Sequence, residues 1–158
     1  MVLDLLTSTL SIPVLYTKFT TTLPLARICL LLLGDKPSSY VASQILTIIA
    51  ISMNVTVSFS RKFELISGWS VLKTVLPSCW DPTVHEAALD VLLGRVHRQS
   101  SQANGNGSAK PALTTNEIVC PAIVPTILAA LQTGLVAAGN NCQASGNPHK
   151  LVSSFYLF

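Results

Sequence analysis

Apolar residues recur at helical spacing along most of the chain, and proline or glycine breaks the pattern every ten to twenty positions. Val2, Leu3, Leu5, Leu6 and Leu10 form a first helix-like run that stops before Pro13. The threonine-rich stretch Pro13 to Thr22 reads as a connector or short helix. Leu23 to Leu33 predicts a second helix, ended by Gly34 and carrying Arg27 as its one charge. Its eleven residues are too few to cross a bilayer, which takes about 20, so it reads as a core element. From Ser38 to Ser60 no residue is charged, and a break is expected near Asn54 with the next helix beginning around Val55.

The most legible part is Arg61 to Arg95, which predicts three short helices. Phe59, Phe63 and Ile66 share one face, with Ser58, Arg61, Lys62 and Glu64 turned away from it. Gly68 is expected to end this helix in the left-handed conformation, with Trp69 packing back on the helix end. Leu72, Val75 and Leu76 continue at helical spacing until Pro77, which has no amide hydrogen to donate. Asp81 and Pro82 then form a start signal. The carboxylate can accept from free amides, and proline is tolerated at the first helical position. Val84, Ala87, Ala88, Val91 and Leu92 line the third helix, which ends near Gly94. Such short helices, each with one apolar stripe, need neighbours above and below, as in helical repeats.

The runs KFELISGWSVLKTVLP and WDPTVHEAALDVLLGR, with LPLARICLLLLGD at Leu23 to Asp35, resemble the long helical region upstream of the signature domain in fungal BEACH-family (beige-like) proteins. The resemblance spans roughly residues 2 to 96, and its distinctive punctuation is the Trp and Gly positions. It implies a segment of a large trafficking scaffold active in vesicle, lysosomal or vacuolar and autophagy processes. Its setting would be cytoplasmic, peripheral to endomembranes. Partners would be other proteins and neighbouring repeats, and no catalytic or binding motif is carried over.

Beyond Gly94 the pattern changes. Residues 97–113 are polar, with alternating Asn and Gly, and predict a flexible loop. Gly105, Gly107 and Lys110 lack the spacing and preceding strand of a phosphate loop, while Ser100, Ser101 and Ser108 are candidate phosphoacceptors. Thr114 to Glu117 spells a capping box. A further repeat helix is expected within 114–141, starting near Pro121 or Ala122, kinked at Pro125, and ended by Gly139, Asn140 and Asn141. The tail 142–158 reads as irregular and foreign to the repeat, so the chain is expected to be a fragment.

Only 11% of residues are charged, less than half the usual soluble share of roughly 25%, so apolar surface must be covered by a core, by neighbours or by lipid. The two uncharged runs, 38–60 and 118–138, keep open the alternative of a small integral membrane protein. Ten polar residues among the 23 of Ser38 to Ser60, and Gln132, Thr133 and Gly134 in the second run, favour buried helices. The net charge of +3 is small and scattered, unlike a nucleic-acid footprint. Asp4 near the start and the lack of a basic leader argue against a signal peptide.

Candidate chemistry is sparse. Cys29, Cys79, Cys120 and Cys142 lie 50, 41 and 22 apart, which is no metal motif, and they read as reduced core thiols. His85, His97 and His149 are isolated and read as surface or capping residues; Glu86 and Asp90 read as a solvated face rather than a metal pair. Asn54 and Asn106 fit the glycosylation triplet. The sequence therefore predicts an all-α, armadillo/HEAT-like solenoid fragment of about six to seven helices, with no enzyme activity, cofactor, small-molecule substrate or nucleic-acid partner. Its structural anchors are Phe63, Gly68, Trp69, Trp80, Asp81 and Pro82.

Overall fold

The computed structural model describes residues 2–34, 36–95 and 118–145, with side chains through 140. These residues are all-helical. The helices are α1 (Val2–Leu10), α2 (Pro13–Thr22), α3 (Leu25–Leu33), α4 (Ser39–Val55), α5 (Phe59–Leu65), α6 (Gly68–Val75), α7 (Pro82–Leu93) and α8 (Val124–Ser145). Short 3-10 turns, Leu76–Cys79 and Pro121–Ile123, precede α7 and α8. Eight α-helices among the described residues exceed the six to seven expected, and one reason is that the threonine-rich stretch is helical. In α2 the hydroxyls of Thr17, Thr20, Thr21 and Thr22 all donate back to carbonyls three or four residues earlier, so the polar run costs the helix no unpaired group.

The core is built around α4. Ile45, Leu46, Ile48 and Ile49 are fully excluded from solvent, and α4 packs against α7, α1 and α3. The polar residues of this run do not oppose burial, because most of their hydrogens return to the helix itself. Thr47 donates to Ser43 O at 3.0 Å, Ser52 to Ile48 O at 2.7 Å and Asn54 to Ala50 O at 2.9 Å. The helix continues through Asn54 to Val55, and the next begins at Phe59 rather than Val55.

Interhelical bonds fix the directions. Tyr40 Oη donates to Asp4 at 2.6 Å and Thr7 Oγ1 to Gln44 Oε1 at 2.9 Å, so α1 and α4 advance together. At the start of α4 the Ser39 hydroxyl reaches Asp81, and at its end Asn54 Nδ2 donates to Gly94 O at 3.1 Å, so α4 and α7 are also parallel. Parallel neighbours cannot be joined by a tight turn; α2 with α3, and α5 with α6, make the return journeys.

The α5–α6 corner corrects the expected role of Gly68. The left-handed residue is Ser67, at φ 59° and ψ 27°, and Gly68 is instead the first residue of α6. A Cβ on Gly68 would lie 2.5 Å from the Phe63 ring. The glycine is therefore required for close approach, and the conformational strain, about 1 kcal/mol, falls on the serine before it. Trp69 does pack back as expected, meeting Phe63 edge-on at 4.9 Å between ring centroids.

The C-terminus of α7 is closed twice. Gly94 is left-handed at φ 63° and its amide donates to Asp90 O, while the amides of Val119 and Cys120 donate to Leu92 O at 2.9 and 3.1 Å. That second contact brings α8 back onto α6 and the 3-10 turn before α7. Pro125 is accommodated in the first turn of α8, where no internal donor is needed. The helix continues past Gly139, Asn140 and Asn141 to Ser145, beyond its expected end. The expected loop over 97–113, the capping box at Thr114 to Glu117 and residues 146–158 lie outside the described residues.

Phe63→Ala should lower unfolding free energy by about 3 to 5 kcal/mol. Gly68→Ala should also destabilise, because overpacking against a wedged ring costs about 1 to 3 kcal/mol against a helix-propensity gain of at most about 1 kcal/mol. Denaturant titration monitored by far-UV circular dichroism checks both, and a stabilised Gly68→Ala chain would contradict the close-approach role.

Candidate functional site

The six anchor residues fall at two corners rather than one site. Phe63, Gly68 and Trp69 form the α5–α6 corner, where Phe63 also stacks on Phe59 at 5.7 Å. Trp80, Asp81 and Pro82 form the entry to α7. There Asp81 Oδ1 accepts from the amides of Thr83 and Val84, both at 2.9 Å, and from the Thr83 hydroxyl at 2.7 Å. Pro82 occupies the first helical position, as its sequence context predicts. Trp80 lies edge-on to His85 at 5.9 Å. His85 is thus half-buried against an aromatic ring rather than a surface residue, and its Nδ1, like Trp69 Nε1 and Trp80 Nε1, is buried with no hydrogen-bond partner among the described residues. His97 and His149 are outside the described residues.

The electrostatics of the Asp81 corner follow from its donors. Partial burial pushes the carboxyl up, but the bonds from Val84, Thr83 and Ser39 outweigh it and hold the group below its usual 3.8. The thiols move the opposite way. Burial pushes the Cys29 thiol up to about 12 and raises those of Cys79 and Cys120. These three are free thiols, with Cys29 and Cys120 buried and Cys79 half-buried, and at neutral pH they are protonated and poorly nucleophilic. Cys142 has no described side chain. Among the described residues no group of three His, Cys, Asp or Glu side chains could hold a metal ion.

Asn54 and Asn106 carry the two glycosylation triplets. Asn106 is outside the described residues, whereas the Asn54 amide nitrogen is committed to Ala50 O and Gly94 O. A glycan there would break the tie between the ends of α4 and α7.

What the sequence did not reveal is a cavity of about 550 Å³ between α2, α3 and α5. Tyr16 and Thr20 line it from α2, Leu25 and Arg27 from α3, and Phe59, Lys62 and Ile66 from α5 and its end. No linear motif marks it, since its walls come from positions 16 to 66. Arg27, the lone charge of an otherwise apolar helix, is the nearest thing to a signal.

No family model, curated protein or solved structure matches the chain.

Asp81→Ala should lower stability at pH 7 by about 1 kcal/mol through loss of the cap. Because the folded carboxyl titrates below its unfolded value, this contribution is fully present above about pH 4 and disappears as the pH falls through the folded value. Asp81→Asn, a cap that does not titrate, should therefore reduce the acid sensitivity of the urea midpoint between pH 5 and pH 2, measured beside the parent chain.

Proposed function

We propose that the chain is a non-catalytic scaffold segment, a stretch of armadillo/HEAT-like α-solenoid that acts by shape and surface contact. The observation that carries this reading is a recurring spacing of helix starts. Helix α3 begins at Leu25 and α6 at Gly68, 43 positions on; α4 begins at Ser39 and α7 at Pro82, again 43 positions on. Armadillo and HEAT repeats have periods of about 40 to 47 residues, and the parallel course of α1, α4 and α7 is what stacked equivalent helices of such repeats require. On this reading α2–α3–α4 and α5–α6–α7 are successive units, α1 is the end of a preceding one, and α8 extends the row of α3 and α6.

Exposed apolar residues support the same reading. Val2, Leu5, Leu31, Leu65 and Leu128 are each more than half exposed, as expected where a repeat meets a neighbour that would cover it. With the sequence resemblance, the fitting context is a beige-like protein in vesicle trafficking, lysosomal or vacuolar, or autophagy processes. Its partners would be other proteins and adjoining repeats, at a cytoplasmic site peripheral to endomembranes.

A second reading, a small integral membrane protein, is favoured by one observation. The segment Pro121–Asn140 is long and apolar enough to cross a bilayer, with mean hydropathy 1.7, and only 17% of its best window is buried in the fold. Against it, the other candidate span is a 17-residue helix whose central side chains are wholly buried by protein. Alkaline carbonate extraction of the tagged chain from membranes, with a detergent control, separates the two. Release into the soluble phase is expected for the scaffold; retention reversed only by detergent would establish the membrane protein instead.

A further inference from the structure

We propose that the cavity between α2, α3 and α5 binds an amphipathic anion, a carboxylate or phosphate head group on a single aliphatic chain. Its volume of about 550 Å³ falls within the range of small-molecule sites, roughly 300 to 1,000 Å³. The walls divide by chemistry. Leu25, Phe59 and Ile66 supply apolar surface, and Arg27 and Lys62, from two different helices, are the charged residues of the lining.

Both charges have the same sign, and among the described residues no carboxylate lines the cavity. Arg27 and Lys62 are both solvent-exposed, and guanidinium and ammonium groups donate hydrogen bonds and accept none, so the ligand head group that complements them is an anion. The hydroxyls of Thr20 and Thr21 direct their hydrogens to Tyr16 O and Lys18 O of their own helix; their oxygens can still accept, but they are neutral and supply no charge to balance the two cations. A simple inorganic anion would satisfy the two cations but leave the apolar wall wet. An uncharged apolar ligand would cover the wall but gain nothing from the two cations, which would stay solvated by water. An anion with an aliphatic tail meets both demands. A free fatty acid and a lysophospholipid share this chemistry.

The test is fluorescence titration of the whole chain with dansyl-undecanoic acid. Saturable binding at one site per chain is expected, weakening about tenfold in each of Arg27→Gln and Lys62→Gln and further in the double variant. Lys73→Gln, at a side chain exposed like those of Arg27 and Lys62 but outside the cavity, should bind as the parent does. The methyl ester of the probe tests the charge requirement on the unaltered chain and should bind at least tenfold more weakly than the acid. Displacement by laurate or by lysophosphatidate supports the proposal, and the stronger competitor identifies the source of the head group. Absence of saturable binding, an ester that binds as well as the acid, or displacement by inorganic phosphate at equal concentration would each overturn it.

Discussion

Burial of α4 is the constraint on which the described fold depends. Over about three turns its side chains at Ala42, Ile45, Leu46, Ile48, Ile49 and Ser52 lose all contact with solvent. Removing each such isoleucine or leucine side chain from water contributes of order 2 kcal/mol, a large share of the roughly 5 to 15 kcal/mol by which a domain is stable. That gain requires protein on nearly every side of one helix. It is met by α7, α1 and α3, and it would fail if the serines, threonines and asparagine of the same helix entered the core unpaired. They do not, because Thr47, Ser52 and Asn54 bond to carbonyls of α4 itself.

The parallel arrangement follows from that burial and is held at both ends. Asp81 caps α7 while receiving Ser39 from the start of α4, and Asn54 bonds the carbonyl of Gly94 where both helices finish. A pair of parallel helices needs a crossover, and α5 with α6 supplies it. The tightness of that crossover explains the cost accepted at Ser67: Phe63 occupies the space where a Cβ at position 68 would stand. The proposed repeat is the simplest arrangement in which such units recur, each burying the apolar face that the previous one leaves open.

Much of this was legible in the sequence, and for definite reasons. Asp81 followed by Pro82, and Gly94 after an apolar stripe, are local signals whose chemistry acts within one turn, and the structure places both as expected. Gly68 misled because glycine has two uses, left-handed backbone and close packing, and only the tertiary position of Phe63 decides between them. The threonine run of α2 and the extension of α8 beyond Asn141 were obscured by propensity, which side-chain-to-backbone bonding and helix length override. The cavity was invisible because its two cations are 35 positions apart and belong to different helices. Direction was hidden too; it is read from paired bonds, Tyr40 with Asp4 and Thr7 with Gln44 for α1 and α4, and Ser39 with Asp81 and Asn54 with Gly94 for α4 and α7.

The central claim, that α4 is the buried axis of the fold, is tested most directly by amide hydrogen exchange read peptide by peptide on the intact chain. Exchange slows where opening requires global unfolding and is fast where a helix opens locally. The account predicts that amides from Ile45 to Ser52 are the slowest in the molecule, well behind those of α2 and the outer turns of α8. Exchange in α4 as fast as in α2 would show that α4 opens independently of its neighbours, and would contradict the claim.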